Sequence, residues 1–114
     1  MTTRCARIIY WRAKPGMLEA YSRYLQQYVE AIDERALQQG HLLKHATWVD
    51  ATPNAEWTHM RVFEFKTHAQ REAMKTALVQ AAAELTPDAS ERAQRAQLAE
   101  SLRDKVREQN LDLL

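Results

Sequence analysis

The chain has 114 residues, of which 46% are hydrophobic and 27% are charged, a composition typical of one globular domain and not of a disordered tail or a multidomain enzyme. The formal net charge is +1, so we expect neither nucleic acid nor an anionic membrane as a partner. The single cysteine, Cys5, cannot form an internal disulfide, and no apolar stretch approaches the about 20 residues of a membrane span. We therefore expect a cytoplasmic protein.

The first half of the chain predicts a strand, a helix and a hairpin. Residues 5–12 are rich in bulky and β-branched side chains, which favour a strand. After a Pro-Gly turn, apolar residues recur at steps of three and four, and this predicts one long amphipathic helix that stops near Gly40. Residues 42–49 and 57–66 predict two further strands, joined as a hairpin by a polar loop.

The second half of the chain changes to Ala, Leu, Gln, Glu and Arg and predicts helices. Thr67 and Gln70 form a capping-box pattern at the start of a second helix. Asp88 and Glu91 form another at the start of a third helix, to which we assign residues 88–114. Almost no β-branched residues occur there, so the sequence predicts no fourth strand.

The predicted order is therefore βαββαα, in a single domain of residues 1–114 with a core in residues 5–85 and a C-terminal helical extension in residues 88–114. The strands carry large side chains on both faces, so both faces of the sheet need cover. We expect helices on one face and a second copy of the chain on the other, which makes the protein a homodimer. The Ala-lined stripe of the last helix would serve dimer formation or higher assembly.

The element order resembles the dimeric α/β-barrel superfamily of ferredoxin-like folds, which includes antibiotic-biosynthesis monooxygenases. The resemblance covers residues 5–85 and includes the turn 14–16 before the first helix and residues 63–67 before the second. It implies an α+β, ferredoxin-like antiparallel sheet, with the side chain of Phe65 pointing into a barrel between two subunits. The haem-degrading branch uses a histidine of the second helix, and because His68 lies at the first turn of that helix, we expect no haem and no other cofactor.

A candidate site follows from the alternation of side chains along the third strand. One face is predicted to carry five residues: Trp57, His59, Arg61, Phe63 and Phe65. The hairpin is predicted to place Thr47 opposite His59 on this face. In the same register His45 lies opposite Arg61.

These side chains suit a flat aromatic or enolisable molecule, because aromatic rings stack, a guanidinium stabilises an oxyanion and a histidine moves a proton. We assign catalysis to His59 or His45 as the base and to Arg61 as the oxyanion partner. We assign substrate binding to five residues: Trp57, Phe63, Phe65, Thr47 and Trp11. With the resemblance, this predicts a small-molecule-binding homodimer that acts as a cofactor-independent monooxygenase on an aromatic or polyketide-like substrate, without a metal.

The alternative is that the same side chains form a satisfied polar network at a dimer interface. The protein would then be a non-catalytic dimer that uses its C-terminal helix for assembly or for binding a partner. The volume beside His59 and Arg61 separates the two interpretations, because a ligand site needs about 300 Å³ or more.

Overall fold

The backbone forms one layer of strands and one layer of helices. The structure, a computed structural model, describes residues 3–114. Over these residues the elements are β1 (Cys5–Ala13), α1 (Leu18–Tyr24), a π-helical segment (Leu25–Val29), α2 (Glu30–Gln38), β2 (Lys44–Val49), β3 (His59–Phe65), α3 (His68–Glu72), α4 (Met74–Leu85), α5 (Ala89–Leu102) and β4 (Arg103–Asp112). The described strands form a four-stranded antiparallel sheet in the order β2-β3-β1-β4, which confirms the predicted α+β, ferredoxin-like architecture. Among residues 3–114 the sheet stays open and does not close into a barrel.

The helices begin where the capping patterns predicted. The Thr67 side chain accepts a hydrogen bond from the backbone N–H of Gln70 at 3.1 Å, and α3 follows. The Asp88 carboxylate accepts from the backbone N–H groups at the start of α5. The long first helix, in contrast, is interrupted, because Leu25–Val29 adopts a π-helical turn between α1 and α2. Periodicity alone does not reveal such a turn, which adds one residue to the helical repeat.

The prediction that residues 88–114 are helical throughout is wrong, because the helix ends at Leu102. Arg103–Asp112 is strand β4, which pairs antiparallel with the whole of β1 and shifts its register between Tyr10 and Trp11. Without β4, one edge of β1 would expose a row of unpaired backbone donors and acceptors. The side chains of β4 are mostly exposed, so the pairing is set by backbone hydrogen bonds rather than by an apolar pattern.

The helices cover the face of the sheet that carries Phe63 and Phe65, which we call the helix-covered face. Both rings are fully buried, in one apolar cluster with Ala36 of α2 and Met74 of α4. A second cluster joins α1 and α5 and includes Tyr21, Tyr24, Ala99 and Leu102. The expectation that Phe65 points into a barrel between subunits is therefore wrong, because the chain's own helices supply the apolar surface that covers it.

The other side of the sheet, which we call the open face, is covered by no helix of residues 3–114. Trp48 lies there with 62% of its surface exposed, and its strand neighbours Ala46 and Val62 are half-buried. No helix among the described residues is both long and apolar enough to cross a membrane.

Candidate functional site

The β2–β3 pairing places most of the predicted site residues on the helix-covered face. The observed pairs are Thr47 with Arg61, His45 with Phe63, and Val49 with His59. The predicted register is wrong by two residues, because β3 begins later in the chain than the alternation suggested. A shift of two preserves the face of every side chain, so the imidazoles, the guanidinium and Thr47 still share one side of the sheet.

His59 is held between two hydroxyl groups in the interior. Its Nε2 lies 2.8 Å from Oγ of Ser22 on α1, and its Nδ1 lies 2.8 Å from Oγ1 of Thr58. The ring is fully buried and contacts the edge of the Tyr21 ring at a centroid distance of 4.5 Å. Burial lowers the pKa of His59 from 6.5 to about 4, since the charged form loses its hydration. The imidazole is therefore neutral at pH 7.

The Thr58 hydroxyl has two acceptors within reach, Nδ1 of His59 and the carbonyl oxygen of Trp11. Thr58 Oγ1 accepts the backbone N–H of Ala13 at 2.7 Å, and it lies closer to Nδ1 of His59 than to the carbonyl oxygen of Trp11, at 2.8 Å against 3.5 Å. When the Thr58 hydroxyl donates to Nδ1, the Nε2–H of the neutral ring donates to Ser22; when it donates to Trp11, Nδ1–H donates to Thr58 and Nε2 accepts from Ser22. In the first of these arrangements the hydroxyl proton of Ser22 is left for an acceptor in the adjoining cleft.

The cleft beside Ser22 lies between the sheet and the start of the π-helical segment, and its volume is about 70 Å³. It is lined by Ser22, Leu25, Gln26, Glu30, Thr47, Val49 and His59. This volume is well below the about 300 Å³ of a whole ligand pocket. The cleft admits one small polar group, and the rest of a larger molecule would lie outside, against the exposed side chain of Val49.

Arg61 is engaged by a residue that the sequence analysis did not single out. Its guanidinium donates to the buried carboxylate of Asp33 on α2, donates weakly to Thr47 at 3.4 Å and lies 4.9 Å from the ring centre of Phe63. Burial raises the pKa of Asp33 above its ordinary value, although the positive charge of Arg61 acts in the opposite direction. Arg61 does not line the cleft, so its charge balances Asp33 rather than a substrate oxyanion.

Trp57 lies on the opposite side of the sheet from the position we predicted. Its ring contacts Tyr10 at a centroid distance of 5.5 Å, and Tyr10 pairs with Met60 on the open face. The alternation fails because Trp57 precedes β3 and does not follow its pleat. His45 Nε2 is 3.0 Å from a carboxylate oxygen of Glu34, a partially exposed pair away from the cleft.

Trp11 packs against a residue of the unpredicted strand β4. The guanidinium of Arg103 lies 3.7 Å from the ring centre of Trp11 and donates to the hydroxyl of Tyr21 at 2.8 Å. Sequence reasoning missed Arg103, Ser22 and Asp33. For Asp33 a signal existed, because this acid lies three residues before Ala36 of the apolar stripe on α2.

Comparison with solved structures shows which fold the chain shares. It matches a dimeric ferredoxin-like protein from an uncultured marine organism with a TM-score of 0.65 and 12% identity, over 100% of this chain and 90% of that one. It matches a dimeric ferredoxin-like protein of unknown function from Bacteroides fragilis with a TM-score of 0.59 and 12% identity, over 96% and 94% of the two chains. A protein from Chloroflexus aurantiacus, provisionally named an antibiotic biosynthesis monooxygenase, matches with a TM-score of 0.57 and 11% identity, over 97% and 93%.

No protein-family model matches the sequence, and no curated protein is significantly similar to it. At these low identities the structural matches establish the fold and not the activity. The chain therefore has the fold of the dimeric ferredoxin-like proteins, a group of structures that includes a protein named as a monooxygenase.

Proposed function

We propose that the protein is a homodimeric small-molecule-binding protein whose cleft takes the carbonyl end of an aromatic or polyketide-like molecule, and that it oxygenates this molecule without a cofactor. The observation that carries the proposal is the contact of the Ser22 hydroxyl with Nε2 of His59 at the cleft, and the proposal takes the tautomer in which His59 donates to Ser22. The fold shared with the Chloroflexus protein supports the oxygenase chemistry. The unpaired cysteine is consistent with action in the cytoplasm.

The chemistry begins with a substrate carbonyl that accepts the hydrogen bond of Ser22. The carboxylate of Glu30, which lines the cleft, takes the proton from the adjacent carbon. Negative charge then grows on the substrate oxygen, where the Ser22 hydroxyl and the His59 Nε2–H behind it stabilise the enolate. A neutral imidazole suits this role, because it donates a hydrogen bond without giving up a full proton. The enolate carbon then forms a bond to dissolved oxygen, the co-substrate and oxidant, and the resulting peroxide takes back the proton from Glu30. The hydroperoxide loses water, so that one oxygen atom stays on the substrate as a carbonyl and the other leaves as water.

The roles proposed here differ from those the sequence suggested. Ser22 with His59 replaces Arg61 as the partner of the oxyanion, because Arg61 is engaged by Asp33. Glu30 replaces His59 as the base, because both ring nitrogens of His59 are engaged by hydroxyl groups, whereas the Glu30 carboxylate lines the cleft.

The proposed dimer joins two open faces. Trp48, Ala46 and Val62 line a shallow groove of about 250 Å³ there, flanked by the opposite charges of Lys44 and Glu64. The same face of a second copy packs against it and buries the exposed ring of Trp48. The dimer thereby covers the side of the sheet that the helices leave open. The dimeric state of two structures with the same fold supports a dimer of this chain.

Sedimentation velocity tests the dimer with a matched pair of variants. Trp48→Glu places a charge on the open face and is expected to give monomers. Val79→Glu changes a side chain of similar exposure, 61% against 62%, in the helix layer and is expected to leave the dimer intact. A wild-type monomer at micromolar concentration, or equal sedimentation of the two variants, contradicts the proposal.

Oxygen uptake tests the chemistry on protein that has been treated with a chelator and freed of flavin. Acetylacetone serves as a small enolisable probe, and a hydroxyanthrone serves as a polyketide-like probe. Loss of one oxyanion donor typically lowers kcat by about 10²–10³, and we expect Ser22→Ala to approach this effect. Ser101→Ala, an exposed serine of α5, is the control and is expected to behave as wild type.

A non-catalytic dimer is the second candidate, and the small cleft favours it. In that case neither probe shifts the amide resonances of residues 22–30, and oxygen uptake equals that of the buffer. Probe binding without oxygen uptake supports a binding protein and refutes the oxygenase. Equal activity of Ser22→Ala and wild type refutes the site.

A further inference from the structure

Three side chains with metal-binding atoms meet at the end of the sheet, away from the cleft. Cys5 begins β1, and Asp112 ends β4 as its direct partner across the sheet. Phe65 pairs with Cys5 on the other side, and α3 begins three residues later with His68. Far separated in sequence, the three residues are brought together by the same strand pairing that completes the sheet.

The donor atoms are of the kinds that zinc prefers. A thiol sulfur, an imidazole nitrogen and a carboxylate oxygen lie within 4.8 Å of one another, and His68 Nε2 is 2.8 Å from Asp112 Oδ1. In a tetrahedral zinc site with ordinary bond lengths, such atoms are about 3.4–3.6 Å apart. The 2.8 Å distance and the 4.8 Å limit lie on either side of these distances, so the side chains must move to bind an ion. We propose that Cys5, His68 and Asp112 bind one Zn²⁺ ion, with water as the fourth ligand.

Binding of the metal ion releases one proton to solvent. The Cys5 thiol releases its proton to solvent and becomes a thiolate bound to zinc. The proton of His68 moves from Nε2 to Nδ1, so the ring stays neutral, and Nε2 and the Asp112 carboxylate oxygen each form a bond to the ion. Arg71 donates to Asp112 at 3.3 Å and to the carbonyl oxygen of Leu111 at 3.3 Å, so it orients the carboxylate from outside the site.

The position of the proposed site at the end of the sheet determines how a bound ion affects the structure. Cys5 is 3% exposed, whereas His68 and Asp112 are at the surface, so the ion approaches from solvent and meets the sulfur last. Once bound, it links β1, β4 and the start of α3 and closes the C-terminal strand onto the sheet. An ion that binds the folded chain alone stabilises it by mass action.

Cobalt titration tests the site on the whole chain, previously treated with a chelator. Co²⁺ is expected to bind one equivalent per chain, with visible bands of tetrahedral coordination and a near-ultraviolet band from the thiolate bond. One equivalent of Zn²⁺ is expected to abolish both signals. No spectral change up to millimolar Co²⁺, or visible bands without the thiolate band, overturns the proposal.

Variants identify the ligands. His68→Gln and Asp112→Asn alter surface residues and are each expected to weaken cobalt binding by at least about tenfold, the size of effect known for supporting residues around metals. His41→Gln, outside the cluster, is the control. Zn²⁺ is expected to raise the Tm of wild type and of His41→Gln but not of His68→Gln. Equal affinity of His68→Gln and His41→Gln for cobalt refutes the site. These measurements do not involve the cleft, so they are independent of the oxygenase test.

Discussion

Replacing His59 by glutamine tests whether its ring is held neutral in the interior. Glutamine can place an amide near Nε2 and keep a hydrogen bond to Ser22, but it does not titrate. In the unfolded chain the imidazole binds a proton near pH 6.5, and in the folded chain only near pH 4. Between these values the unfolded state holds more protons, so stability is complete above pH 6.5 and is lost as the pH falls towards 4.

The size of the loss follows from the shift. A displacement of about 2.5 pKa units at 1.36 kcal/mol per unit is about 3 kcal/mol. Desolvation is the cause of the shift, so no salt-bridge partner is expected to change the result. The variant lacks this titration, and the difference in unfolding free energy between wild type and His59→Gln is expected to shrink by about 3 kcal/mol from pH 7.5 to pH 4.

Urea unfolding followed by tryptophan fluorescence at several pH values measures this difference. The carboxylates that also titrate in acid are common to both proteins and cancel in the comparison. His41→Gln is the control and is expected to follow the wild-type profile. A difference that stays constant with pH would falsify the claim that burial keeps the imidazole neutral, and the proposed donor role would lose its basis.

Three further results are expected. Asp33→Leu leaves the Arg61 guanidinium buried without its counter-charge and is expected to lower the free energy of unfolding in urea by about 3–5 kcal/mol. The double variant with Arg61→Leu is expected to recover most of this loss. Additive costs in the double-mutant cycle would contradict a coupled pair. Arg103→Met removes the contact with Trp11 and is expected to cost about 1–2 kcal/mol, against little change for Lys105→Met on the same strand. In hydrogen exchange, amides of β1 are expected to exchange more slowly than those of the edge strand β2, and fast exchange along the β4 side of β1 would refute the fourth strand.

The sequence by itself determined the parts of the structure that depend on neighbouring residues. The capping patterns at Thr67 and Asp88 marked the starts of α3 and α5, because a cap is a contact between residues three positions apart. Alternation placed His59 and Arg61 on one face of β3, since side chains of a strand point to alternate sides. The α+β order followed from the same local periodicities.

The tertiary structure alone decided what depends on residues far apart in the chain. Arg103–Asp112 has the composition of a helix, yet it is a strand because the edge of β1 offers backbone partners that a helix could not satisfy. The sequence also did not reveal the hydrogen-bonding and ion-pair partners of the polar side chains on β3. Ser22 and Asp33 come from helices whose orientation over the sheet sets which strand residue each one meets. Helix packing sets that orientation. It places the Ser22 hydroxyl next to His59 and the Asp33 carboxylate next to Arg61.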